Sequence, residues 1–291
     1  MFPTYLIPFD ANYFLLGLSL LTTMRKQLGK LDNVCVLDFG LQEQQITFLK
    51  AYGVTVIEMA PELADCDPFK LKANLNTYLR SHSLLGRWLV LLDADMLMLK
   101  SPVQAIDALI TQMQQEGQHL ALCQDMGPAA NVAQFVELFS WRNIQFSKCT
   151  EPFDLSVPYL NIGFVIFSPE FDFDRYHSTA YGMQREICWV QNAMNLMCLQ
   201  GVSHLLLDPK QWNVHGGRLL DAFSEKDDPY ILHLTSDTDC LIQKPVDLQI
   251  GGQNFTFPYR FTSNPAIQEI QDRVLESLVR ENTSLFLKYF L

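Results

Sequence analysis

From Thr4 to Met59, short apolar runs alternate with segments of helical period. "TYLIPF" reads as a strand. "NYFLLGLSLLTTMRKQLG" carries apolar residues on a helical repeat and closes with Arg25, Lys26 and Gly29, the basic last turn and glycine stop expected of a helix. "NVCVLDFG" is a second strand, "LQEQQITFLKAYG" a helix ended by Gly53, and "VTVIEM" a third strand. Further strands are expected in "WLVLLDADMLML", "HLALCQD", "NIGFVIFSP", "SHLLLD" and "YILHLTS". Such alternation predicts an α/β fold with mostly parallel strands, whose ligand site lies beyond the strands' C-terminal ends where the sheet order reverses.

The later chain reads less regularly. A helix is expected over 176–200 and an irregular stretch from Met126 to Pro158. From Ser236 the alternation fades, and "NPAIQEIQDRVLESLVRENTSLFLKYFL" reads as an amphipathic helix and tail. Its apolar face is Ile267, Ile270, Val274 and Leu278. The opposite face is not basic, so docking on the body of the protein is expected rather than membrane binding.

Composition narrows the partners. A formal charge of -11 over 291 residues repels a polyphosphate backbone or an anionic bilayer, so nucleic acid is not an expected partner. Seven cysteines without CxxC spacing point to reduced thiols rather than a disulfide framework or zinc site. The N-terminus lacks a secretory pattern, and no apolar run approaches the roughly 18 residues of a membrane span, so a cytoplasmic protein is expected. Oligomeric state leaves no trace in the sequence.

The chemistry-bearing feature is "WLVLLDADMLML", which places Asp93 and Asp95 inside a segment that otherwise asks to be covered. Side chains two apart on a strand face one side, so both carboxylates can aim at one point. Buried carboxylates need a proton, a basic partner or a metal. No Lys or Arg lies in the run, and a hard divalent cation, Mn²⁺ or Mg²⁺, suits an oxygen pair. The plainer alternative is a pair that ends a strand and caps its turn. Two reaction classes use such a motif: phosphatases of the haloacid dehalogenase type, with an Asp nucleophile, and glycosyltransferases that hold a cation on a sugar nucleotide's diphosphate.

Taken in order, the segments around the pair resemble the retaining, metal-dependent GT-A glycosyltransferases, the family of glycogenin and the lipooligosaccharide galactosyltransferases. The likeness runs over roughly residues 3–235. It implies a single GT-A (Rossmann-like) domain over 1–235 with a mixed, mostly parallel sheet, and a C-terminal helical extension over 236–291 packed on it. "FDANY" resembles the family's opening motif, which implies Asp10 and Asn12 at the nucleoside and Tyr13 stacked on the base. In "FKLK" and beyond, Lys70, Lys72 and Arg80 are candidates for a basic residue reaching the diphosphate, with Lys72 carried forward. "LALCQDM" implies a sugar-contacting Asp125, and "PYLNIGFVIFSP" implies Asn161 near the donor sugar with Gly163 allowing close approach. "CWVQNAMNLM" implies Gln191 beneath the anomeric carbon. "QWN" (Trp212, Asn213) matches a segment before the last core strand, and "YILHLTS" implies His233 as third metal ligand beside Asp93 and Asp95.

The function implied is Mn²⁺- or Mg²⁺-dependent transfer of a sugar, with retention, from a UDP-linked nucleotide sugar to a glycan, lipid or protein acceptor. In this reading Asp125, Asn161 and Gln191 are the catalytic candidates. Three positions depart from the family: Val190 replaces an Asp, Ser236 a Gly, and Asp239 stands where a diphosphate-binding Lys is usual, leaving Lys244 as the nearest basic substitute. These departures favour a second reading, a non-catalytic sugar-nucleotide-binding or scaffold protein. A phosphatase is disfavoured, because that class opens its first strand with the nucleophile and here three strands and two helices precede "DAD".

Overall fold

The computed structural model describes residues 3–63, 71–183, 186–215, 217–234 and 241–290. The strands are β1 (Thr4–Phe9), β2 (Val34–Asp38), β3 (Thr55–Ile57), β4 (Leu89–Leu92), β5 (Met96–Met98), β6 (Leu120–Gln124), β7 (Leu160–Phe167), β8 (His204–Leu207), β9 (Ile231–His233), β10 (Leu241–Ile250) and β11 (Gln253–Thr262). Seven form one sheet in the order β3-β2-β1-β4-β7-β6-β8. β7 runs antiparallel to its neighbours β4 and β6, and the other pairings are parallel. The fold is therefore α/β with the mixed, mostly parallel sheet expected. β1 and β7 are buried at every position, as strands covered on both faces must be.

Eleven helices accompany the strands among the described residues: α1 (Phe14–Leu28), α2 (Glu43–Tyr52), α3 (Leu75–Ser81), α4 (Val103–Glu116), α5 (Val132–Phe139), α6 (Ile144–Thr150), α7 (Phe173–Tyr181), α8 (Trp189–Leu199), α9 (Pro209–Trp212), α10 (Gly217–Ala222) and α11 (Pro265–Phe290). Side chains alternate across the sheet, so Tyr5, Ile7, Val90 and Leu92 join one core with α1, α2 and α11. Leu6, Leu37, Leu89 and Leu91 join another with α3, α7 and α8. Every residue of α1 from Phe14 to Met24 is buried, because the C-terminal elements cover the face that would otherwise meet water.

After β3 the chain returns to the other side of β1 to lay down β4. The C-terminal ends of β1 and β4 thus flank the crevice where sheet order reverses, and they deliver Asp10 and Asp93 to it.

Four expectations are corrected. Met126 to Pro158 is not irregular, because it contains α5 and α6. The helix expected over 176–200 is two, α7 and α8. The aspartate pair is not on a strand: β4 stops at Leu92, Asp93 to Asp95 form a turn, and the chain resumes as β5, which pairs with β9. The C-terminal region is not helix alone, because it holds the β10–β11 hairpin as well. Its turn is Gly251-Gly252, both at positive φ (57° and 84°), the backbone that a two-residue hairpin with a right-handed twist requires. Helix α11 buries Ile267, Ile270, Val274 and Leu278, and Phe286 meets Phe48 of α2 at 4.9 Å between ring centres.

Candidate metal and donor site

β7 bulges against β6, where the register moves from Leu122–Val165 to Cys123–Asn161. Asn195 of α8 fixes the chain just before the bulge, since its side chain accepts from Leu160 N (2.8 Å) and donates to Leu160 O (2.9 Å). The bulge re-aims Asn161 and Gly163 toward the end of β4, where Gly163 O accepts from Asp93 N at 2.9 Å. On the other side of the turn, Asp95 O accepts from Leu234 N at 2.7 Å, which sets His233 beside the carboxylates.

Asp93, Asp95 and His233 each offer one ligand atom within 4.8 Å of the others. His233 Nε2 lies 3.3 Å from Asp95 Oδ1 and 3.8 Å from Asp93 Oδ2. Adjacent ligand atoms on an octahedral cation with bonds of about 2.1 Å stand about 3 Å apart, so a modest contraction would accommodate Mg²⁺ or Mn²⁺. Two carboxylate oxygens and one imidazole nitrogen are also the donor set such ions accept. The residues fit a divalent cation.

Behind this cluster runs a continuous chain of hydrogen bonds. His233 Nδ1 donates to Asn213 Oδ1 (2.9 Å), and Asn213 Nδ2 donates to Asn161 Oδ1 (2.8 Å), which also accepts from Gly163 N. Asn161 Nδ2 donates to Asp125 Oδ2 at 3.1 Å, and Gln191 Nε2 donates to the same oxygen at 2.8 Å. The structure thus brings Asp125, Asn161 and Gln191 together and links them to His233. A Cβ at Gly163 would stand 2.5 Å from His233 Cε1, so glycine there lets the backbone come against the histidine ring.

The outer oxygens of the two aspartates are held by cations. Lys72 Nζ donates to Asp93 Oδ1 at 2.6 Å, so Lys72 is at the site. Arg260 of β11 pairs with Asp95 Oδ2, donates to Leu234 O at 3.2 Å and reaches the Tyr13 hydroxyl with its other arm. Its guanidinium stands 4.8 Å from the Tyr13 ring centre. The carboxylates therefore do have basic partners, contrary to the expectation from the run alone. Folding supplies those partners from 21 and 165 residues away.

Burial raises the Asp95 pKa, but His233 and Arg260 overcome it and hold the carboxyl below the usual carboxylate range. Burial pushes the His233 imidazole down, yet the Asp95 and Asp93 carboxylates win and raise it. A second histidine, His215, lies with its ring centre 5.6 Å from that of His233 and accepts from Met126 N through Nε2 at 3.1 Å. Burial pushes its pKa down to about 4, so it is a neutral acceptor that fixes the chain after Asp125.

The remaining residues divide. Asp10 Oδ1 accepts from Asn12 N (2.9 Å) and Tyr13 N (3.0 Å), capping the short helical turn that presents Tyr13, and Asn12 is exposed. Arg80 pairs with Asp174 on the surface. Lys70, Ser236 and Asp239 lie outside the described residues. Lys244 stacks over Phe261 at 4.6 Å, and alternation along the hairpin sends it to the opposite face from Arg260. It does not stand in for the missing lysine. Arg260 and His215 were not anticipated. The only sequence signal for the former was the Gly-Gly turn, which predicts a hairpin but not what it touches.

The architecture is that of the GT-A glycosyltransferases. Among solved structures, the chain is similar to apo WbbM, a bifunctional glycosyltransferase, with TM-score 0.55 and 13% identity over 81% of this chain and 46% of that one. It is also similar to the galactosyltransferase LgtC in complex with donor and acceptor sugar analogues, with TM-score 0.52 and 14% identity over 79% of this chain and 86% of that one. A third is the glycosyltransferase GlyE of Streptococcus pneumoniae, with TM-score 0.56 and 10% identity over 97% of this chain and 63% of that one. The chain thus spans about half of WbbM and under two thirds of GlyE. At these identities the likeness is one of fold. No protein-family model matches the chain, and no curated protein matches it in sequence. Among the described residues no helix is long and apolar enough to cross a membrane.

Proposed function

We propose that the chain is a metal-dependent glycosyltransferase that moves a sugar from a UDP-linked nucleotide sugar to a glycan, lipid or protein acceptor, with retention. The observation that carries this reading is the convergence of Asp93, Asp95 and His233 at the switch point of a GT-A sheet, with Tyr13 on one side and Asp125, Asn161 and Gln191 on the other. Asp93 Oδ2, Asp95 Oδ1 and His233 Nε2 would hold Mn²⁺ or Mg²⁺. Such an ion, when bound, supplies Lewis-acid stabilisation of the charge that grows on the departing diphosphate.

In the reaction the bond from the anomeric carbon to the β-phosphate oxygen breaks, a bond to the acceptor oxygen forms, and the acceptor's proton leaves with the nucleoside diphosphate. Lys72 offsets negative charge on the phosphates, and Tyr13 gives the base a flat apolar platform. Asp125, fixed by Asn161, Gln191 and Gly127 N, retains lone pairs to accept from a sugar hydroxyl.

A second reading, a protein that binds the sugar nucleotide without transferring it, is favoured by Val190. This residue is buried and apolar where the resemblance implies a carboxylate. A panel of sugar nucleotides scored by thermal shift with and without Mn²⁺ tests the binding reading. A UDP-sugar should raise Tm only with the metal, and Asp93→Asn should abolish the shift. Release of UDP from the stabilising sugar nucleotide separates transferase from binder, and a metal-independent shift removes the role of the aspartates.

A further inference from the structure

Arg260 is 5% exposed and lies on the C-terminal hairpin, outside the stretch where the sequence placed the donor site. It spans two parts of that site. Nη1 is on Asp95 Oδ2 and Nη2 on the Tyr13 hydroxyl, so one planar cation bridges the metal cluster and the expected base platform. In a nucleoside diphosphate the two phosphates connect a base to a metal, which is the interval Arg260 occupies. Among the described residues, nothing accepts from Nε or from the second Nη2 hydrogen, although a guanidinium has five donors in a fixed fork.

Charge points the same way. Asp93 and Asp95 offset one divalent cation between them. Lys72 and Arg260 are then left over, one positive charge for each phosphate of a sugar nucleotide. Without them the filled site would hold two uncompensated negative charges in surroundings that screen poorly. With the expected lysine absent from the segment after His233, and Lys244 turned to the other face, Arg260 joins Lys72 as a cation on the aspartate pair among the described residues.

We infer that Arg260 is a diphosphate-binding residue of the donor site, contributed by the C-terminal hairpin and held in place by Asp95 and Tyr13. This rests on the reading of the chain as a sugar-nucleotide-dependent protein. The fixed charge has opposite effects on two ligands. It opposes a lone divalent cation, because it shares Asp95, and it favours the diphosphate.

The test is a pair of titrations on the full chain, Mn²⁺ alone and UDP at saturating Mn²⁺, for wild type, Arg260→Gln and Arg260→Lys. Loss of a charge-assisted contact should weaken UDP binding by about tenfold or more in Arg260→Gln. Mn²⁺ alone should bind that variant more tightly than it binds wild type. Arg260→Lys keeps the charge but cannot span both partners, so it should lose less UDP affinity while Mn²⁺ affinity stays at or above the wild-type value. Should Arg260→Gln fail to fold, the lysine variant carries the same split. A merely structural role weakens both ligands together, and that result, or wild-type UDP affinity in the variants, overturns the inference. If wild type itself binds no UDP in saturating Mn²⁺, the glycosyltransferase reading falls, and this inference with it.

Discussion

His233 Nδ1 donates to Asn213 Oδ1 at 2.9 Å, which leaves Nε2 as the nitrogen that faces Asp95 and that offers its lone pair to a cation once its proton is gone. Asn213 is fully buried and spends its amide on Asn161, so its oxygen has a single orientation. Outer partners of this kind typically change metal affinity about 10- to 100-fold. Asn213→Leu is therefore expected to weaken Mn²⁺ binding by about that factor, as read by titration of the folded variant.

Gly163 meets the same ring from the other side. Gly163→Ala would place a methyl 2.5 Å from His233 Cε1 and 2.9 Å from Asn161 Oδ1, in a core that cannot yield freely. Overpacking of this sort costs about 1–3 kcal/mol. A lowered denaturation midpoint together with lost Mn²⁺ binding is expected, and a variant with wild-type metal affinity would contradict the placement of the ring.

The site should also titrate. The His233 pKa is raised above its ordinary 6.5 by the aspartates. The metal-free protein thus draws stability from the charged imidazole below that value and loses it as pH rises through the raised pKa. Asp95, with a depressed pKa, contributes above its ordinary 3.8 and loses its contribution as pH falls through the lower value. A cation needs the neutral Nε2, so binding releases a proton. The Mn²⁺-induced rise in Tm is expected to grow between about pH 6 and pH 8, and calorimetry in buffers of different ionisation enthalpy should register the proton.

The C-terminal helix is expected to melt with the rest. Phe286 has no exposed surface and touches Phe48, Phe255, Phe257 and Phe290. Phe286→Ala is expected to cost about 3–5 kcal/mol in a single transition by denaturant unfolding. A separate early transition would make 236–291 an independent unit.

Much of the fold was legible because its strands are covered on both faces and read as unbroken apolar runs such as "TYLIPF". The turn around Asp93 was not, since a buried turn between two apolar strands has the same composition as one longer strand. The hairpin was hidden by Pro245 and Pro258, which break strand patterns. In the structure they face each other. Counting outward from the two-residue turn, that pair is one that exchanges no hydrogen bonds, so neither missing N–H is felt by the ladder. With the hairpin went Arg260, whose partner Asp95 lies 165 residues earlier and whose meaning depends wholly on that contact. His233, Asp125, Asn161 and Gln191, which the structure brings together, were singled out through the order of their segments. Composition alone gives a lone histidine or asparagine no site.

Everything proposed for the site depends on a divalent cation gripped by Asp93, Asp95 and His233. Anomalous diffraction from a crystal soaked in Mn²⁺ and UDP tests it most directly. One strong peak is expected within bonding distance of Asp93 Oδ2, Asp95 Oδ1 and His233 Nε2. A peak elsewhere, or none at saturating metal, would contradict it.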